Sequence, residues 1–183
     1  GPAGAPAGTA VSTSDVSWSW AASSNATSYE VRLATDTARL LASPATNSVV
    51  LTGYVPNTVS SIVVRGVNAV GPGPLSGAGS RYSLAAVPAS LSVTSVSSLT
   101  IALSWTAAGN AAGTVFELQA ATDAATFLAA STGTATTVLL PGLQPGTTHT
   151  FRVRAFNGDG AASSFSAVVS TPTLPPAPGM PGT

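Results

Sequence analysis

The chain has 183 residues, 44% apolar but only 6% aromatic and 7% charged, and its six arginines balance six carboxylates to give zero net charge. With no lysine and no basic surplus it offers no patch for nucleic acid or an anionic membrane, and with no cysteine it can form neither a disulfide framework nor a thiolate metal site. No apolar run approaches the roughly 20 residues that a membrane-spanning helix needs.

Residues 1–8, G-P-A-G-A-P-A-G, lack periodicity and carry two prolines, which predicts an extended leader ahead of the first domain, residues 9–84. Val16, Trp18 and Trp20 then alternate with Ser17 and Ser19, a strand with an indole-rich inner face. Tyr29 to Ala34 alternate in the same way, the short apolar segment Arg39 to Ala42 follows, and Ser48 to Leu51 make a further strand. After a turn from Gly53 to Thr58, Ile62, Val64 and Gly66 fall on the inner face of a long strand, and Val63, Arg65 and Val67 on the outer face. Asn68 and Gly71 mark a turn, and a last strand is expected near 75–82.

The pattern then repeats over 85–172, which makes the chain a tandem repeat. Leu99, Ile101, Leu103 and Trp105 form the inner face of the strand matching Trp20, and Phe116 to Ala121 match Tyr29 to Ala34. Thr126 to Ala129, Thr137 to Leu140 and the turn Gly142 to Thr147 continue the match. Phe151, Val153 and Ala155 point inward on the next strand, Arg152, Arg154 and Phe156 outward, and a last strand is expected near 163–170. The six residues 83–88 joining the repeats are too few for wide interdomain swing. Residues 173–183 are proline-rich and predict an extended, polyproline-like tail.

The set of a strand tryptophan (Trp20, Trp105), an aromatic on the next strand (Tyr29, Phe116), the run [YL]-x-P-x-T, and N-x-x-G at Asn68 to Gly71 and Asn157 to Gly160 resembles the fibronectin type III module, twice. The resemblance covers about residues 9–172 and implies an all-β fold: two seven-stranded, immunoglobulin-like sandwiches in tandem, of a kind common on surface and secreted bacterial proteins. It also implies a structural core of Trp18, Trp20, Tyr29, Val64, Trp105, Phe116, Phe151 and Val153. Members of that family usually carry a corner tyrosine where this chain has Ser60 and His149. His149 is expected to donate a corner hydrogen bond in its place, and Ser60 to leave a weaker corner.

No catalytic, cofactor or metal site is expected. His149 is the only histidine, and the six carboxylates recur once per repeat instead of meeting in one cleft. Asn157 to Gly160 supplies too few oxygens for calcium. Sparse charge and outward apolar residues favour a surface covered by neighbours. Pro2, Pro6, Val63, Val67, Phe156, Leu174, Pro175 and Pro176 are the candidate assembly contacts. The expected function is a non-catalytic extracellular structural protein, a subunit of a surface fibre or filament whose partners are copies of itself or neighbouring domains of the same polypeptide. The alternative is a spacer or adhesion module of a larger secreted or cell-surface protein, such as an adhesin or a polysaccharide-degrading enzyme, with a protein or glycan ligand. Abundant Ala, Gly and Pro fit a GC-rich, bacterial source.

Overall fold

The computed structural model describes residues 1–123, 125–176 and 178. The chain divides into two compact units: Gly1–Leu84, with which Asn157–Ala161 are grouped, and Ala85–Phe156 with the residues from Ala162 onward. Among the described residues every regular element is a strand.

In the first unit the strands are β1 (Ala7–Ala10), β2 (Val16–Ser19), β3 (Ser28–Leu33), β4 (Asp36–Ala42), β5 (Ser48–Leu51), β6 (Val59–Asn68), β7 (Gly71–Pro72) and β8 (Gly79–Tyr82). They form one sheet in the order β1-β2-β5 and a second in the order β4-β3-β6, with β7 and β8 both paired to β6. In the second unit β9 (Ala89–Val96), β10 (Ile101–Thr106) and β13 (Thr137–Leu140) make one sheet, in the order β13-β10-β9. The other is β12 (Leu128–Gly133), β11 (Val115–Ala121), β14 (Thr148–Phe156) and β15 (Val169–Pro172), in the order β12-β11-β14-β15. All pairings are antiparallel, so alternate residues go to the core between the two sheets.

Both cores are built on the same aromatic contact. Trp20 meets Tyr29 edge-on with ring centroids 5.5 Å apart, and Trp105 meets Phe116 at 6.1 Å, each at an interplanar angle of 69°. Trp18, Val16, Val31, Ile62 and Val64 complete the first core, and Ile101, Leu103, Leu118, Phe151 and Val153 the second.

The leader does not stand apart from the first domain. Ala7–Ala10 pair with Val16–Ser19, Gly4 N–H donates to the Ala21 carbonyl, and Ala3 and Pro6 are buried. Glycine is required at position 79, because a Cβ there would collide with the Pro6 carbonyl oxygen. The alternation that betrays other strands is muted here because Ala and Gly replace the large inward residues. At the other end Thr173 is buried, Leu174 N–H donates to the Ser97 carbonyl and Gly146 N–H to the Leu174 carbonyl, so the start of the tail is tied to the second unit. Residues 177 and 179–183 of the expected tail lie outside the described residues.

Three further expectations are corrected. Leu99 is not part of the inner face: it is 52% exposed in a turn where the Ser97 hydroxyl accepts the Leu99 and Thr100 amides, and the strand begins at Ile101. Val63 faces outward as expected but is buried and not free for contact, since β6 is a central strand and the register partner of Val63 is the long-stemmed Arg32. The last strands are shorter than expected. In the first unit only Gly71–Pro72 and Gly79–Tyr82 are paired, and in the second only Val169–Pro172.

Serine side chains fill those gaps. Ser76 gives its N–H to the Val64 carbonyl and accepts the Val64 N–H on its hydroxyl, 3.0 Å away. Ser166 does the same for Val153, and Ser163 for Ala155. A hydroxyl thus stands in for a main-chain carbonyl where the ladder is interrupted, and the buried amides stay paired. We expect Ser76→Ala and Ser166→Ala each to cost about 1–2 kcal/mol in urea unfolding, while replacing a serine on an exposed strand edge, as in Ser48→Ala, changes little.

Candidate functional site

Register decides which side chains share the outer face of each larger sheet. In the first unit Glu30 lies opposite Arg65 and Arg32 opposite Val63. In the second Glu117 lies opposite Arg154 and Gln119 opposite Arg152. One cross-strand Glu–Arg pair therefore recurs, whereas the second arginine has changed strands.

The consequences differ. In the first unit Arg32 and Arg65 both converge on one oxygen of Glu30, at 2.8 and 2.7 Å, and Arg32 also donates to the Thr37 and Ala38 carbonyls. The hydrogen bond from Arg65, then that from Arg32, holds the Glu30 carboxyl below its usual value of 4.5. In the second unit Glu117 takes only Arg154, at 3.1 Å, and its other oxygen accepts the Gln119 amide. The Gln119 carbonyl oxygen receives Nε and Nη2 of Arg152 at 3.0 and 2.8 Å.

Aromatic rings complete this face. The Arg152 guanidinium lies between Phe127 and Phe165, 4.0 and 3.9 Å from the two ring centroids. Arg154 lies 4.7 Å from the centroid of Phe165 and 5.0 Å from that of Phe156. Rings and guanidiniums so alternate in the order Phe127, Arg152, Phe165, Arg154, Phe156, each contact worth about 0.5–1 kcal/mol where solvent is near. Arg152 and Arg154 share a face because they are two apart on β14. Phe165 is placed by its neighbour Ser166, whose hydroxyl is fixed on Val153. The matching positions of the first repeat hold Leu40, Val63, Leu75, Arg65 and Val67, so only the second unit carries the ladder.

The expected core residues Trp18, Trp20, Tyr29, Val64, Trp105, Phe116, Phe151 and Val153 are all buried. At the corners, Ser60 is buried and its hydroxyl lies 2.6 Å from the hydroxyl of Tyr54, six residues earlier. The corner phenol is thus supplied from the turn. In the second unit the equivalent pair is Leu143 and His149, and Leu143 packs on the core. Nε2 of His149 is buried and does not donate the expected bond to any of the described residues; its ring stacks on Phe151, with centroids 6.3 Å apart.

Among the candidate assembly contacts, Val63 and Pro6 are buried and Val67 and Phe156 half-buried, while Pro2, Leu174, Pro175 and Pro176 are exposed. Pro2 and Pro6 belong to the first unit, and the proline-rich tail to the second. Phe127, Phe165, Gln119 and Arg152 escaped the sequence reading. The signal for them lies in what differs between the repeats, aliphatic residues at 40 and 75 against phenylalanine at 127 and 165.

The N-x-x-G segments are turns. Asn68 Oδ1 accepts the Val70 amide, Asn157 Oδ1 accepts those of Asp159 and Ala161, and Gly71 and Gly160 take φ of 136° and 82°. Asp123 caps its loop by accepting the amides of Ala125 and Thr126, and the Thr126 N–H chiefly brings its carboxyl down to about 2. Three open clefts of about 430–490 Å³ line the units, and none of them contains a carboxylate or histidine side chain. Among the described residues no cluster of His, Cys, Asp and Glu has the makings of a metal site.

Each unit is therefore an antiparallel sandwich of the immunoglobulin-like class, three strands packed on five in the first unit and on four in the second. Residues 86–172 match the fibronectin type III domain family and belong to it; with the first unit repeating the strand order, the chain is a tandem of two such sandwiches. Across 186 residues it is 31% identical to Endoglucanase B of Cellulomonas fimi, an alignment covering 93% of this chain and 18% of that enzyme. The fold is also that of a two-domain fibronectin type III segment from chicken tenascin, with a TM-score of 0.55, 15% identity, and coverage of 93% of this chain and 98% of that one. The chain thus spans less than a fifth of the curated relative it matches.

Two outcomes test the geometry. Tyr54→Phe leaves the buried Ser60 hydroxyl without its partner and should cost about 1–2 kcal/mol in chemical unfolding. Because the folded pKa of Glu30 is depressed, its ion pairs contribute fully above the unfolded value and are lost as pH falls through the folded one. Stability should therefore decline as pH drops below about 4.5, and Glu30→Gln should flatten that decline in acid unfolding curves.

Proposed function

We propose that this tandem is a non-catalytic spacer and adhesion module of a larger secreted protein, working outside the cell. The observation that carries the reading is the alignment to Endoglucanase B: it runs through nearly the whole of this chain yet takes up only 18% of the relative. A pair of sandwiches that is a minor part of a large enzyme is suited to holding its neighbours apart or against a surface, and any activity of the parent would lie in those neighbours. The same likeness supports a glucan-degrading parent and a bacterial source as part of this proposal.

The filament reading is the less well supported of the two. Of its candidate contacts Val63 and Pro6 are buried, and Ala3, β1, Thr173 and Leu174 are held within their own units. A spacer should sediment as a monomer of 17.8 kDa at every concentration and release no reducing ends from soluble cellulose. Concentration-dependent polymers in sedimentation and negative-stain microscopy would restore the filament reading, and hydrolysis of the glucan would overturn the non-catalytic one.

A further inference from the structure

The ladder leaves one guanidinium with a charge and an edge to spare. Arg152 is held on both faces by Phe127 and Phe165, and its Nε–Nη2 edge is taken by the Gln119 carbonyl oxygen. Its Nη1 makes no hydrogen bond among the described residues, so the end formed by Nη1 and Nη2 keeps two parallel N–H bonds, the fork that matches a carboxylate. No carboxylate lies in ion-pair distance of Arg152 among the described residues, since Glu117 is engaged by Arg154 and Gln119. In the first unit the extra arginine, Arg32, does reach a carboxylate, sharing Glu30 with Arg65. The difference is specific to this face.

We propose that the Arg152 end of the ladder binds the carboxylate of an acidic sugar, a uronate unit of an acidic polysaccharide. The guanidinium is already fixed by two rings and an amide, so little side-chain freedom is left to lose on binding. Phe127 is half-buried and ends the ladder, so its ring face turned away from Arg152 can meet the C–H groups of a pyranose, which a bare acidic peptide would not use, whereas Phe165 is occupied by Arg152 and Arg154. The site goes beyond the spacer reading, and its failure would leave that reading in place: a module that holds a parent protein near polysaccharide would also touch it.

Trigalacturonate titrated into the full chain, followed by amide and Arg side-chain NMR shifts, is the direct test. Binding on the order of millimolar, with shifts at Arg152, Phe127 and Phe165, is expected, together with loss when the carboxylates are methyl-esterified. Arg152→Lys keeps the charge but not the fork, and should weaken binding about tenfold. Phe127→Leu, the residue of the first repeat at this place, keeps the fork and should weaken binding severalfold; it carries the test if the lysine variant fails to fold. No binding by the wild type, or unchanged binding in Phe127→Leu, overturns the proposal. Equal binding of acetate or a glutamate-rich peptide overturns the assignment to a sugar.

Discussion

The pairing of β3 with β6, and of β11 with β14, is the constraint on which the rest of both units depends. Each is an uninterrupted antiparallel register of six or seven residues at the centre of its larger sheet. A slip of one residue would send Val31, Val64, Leu118 and Val153 to solvent and the arginines to the core. Once that register is set, the inner residues meet the tryptophans of the opposite sheet, and the outer ones fall into a Glu–Arg column. The core enforces the register through apolar burial, worth about 1.5–3 kcal/mol for each large side chain. The surface ladders inherit it and add comparatively little stability.

That division explains how two repeats with one fold carry different faces. The inner positions tolerate only swaps that keep the volume filled, as where Trp18 gives way to Leu103 and Tyr29 to Phe116. Outer positions are free to change, and moving one arginine from β3 to β14 turns a triad centred on one carboxylate into a stacked ladder in which Arg152 meets aromatic rings and an amide instead of a carboxylate. The corner changes as a pair in the same way. Tyr54 with Ser60 keeps a hydroxyl-to-hydroxyl bond, whereas Leu143 with His149 exchanges it for packing and ring stacking.

Much of the architecture was legible in the residues because large side chains alternate strictly where both neighbours are strands. The β5 and β13 bounds, Ser48–Leu51 and Thr137–Leu140, are those of the alternation itself. The leader was not legible as a strand: small residues give β1 no apolar amplitude, although P-A-x-x-x-V at 6–11 repeats at 88–93, where β9 forms. Val63 looked outward by period, and is, but an outward residue of a central strand under long side chains is still buried. The broken last strands depend on serine hydroxyls acting as ladder acceptors, which no hydrophobic pattern encodes. The ladder needed the fold before it could be seen, since Phe127, Arg152 and Phe165 come from three separate segments.

The most direct measurement is residue-resolved amide exchange of the intact chain at low and high concentration. If each sandwich is closed by its own ends, Gly4 and the paired amides of Ala7–Ala10 are protected to the same degree as those of Val16–Ser19, and dilution changes nothing. Free exchange at Ala7–Ala10 in dilute monomer, with protection appearing only as copies associate, would contradict it and return the leader to the role of a strand donated between molecules.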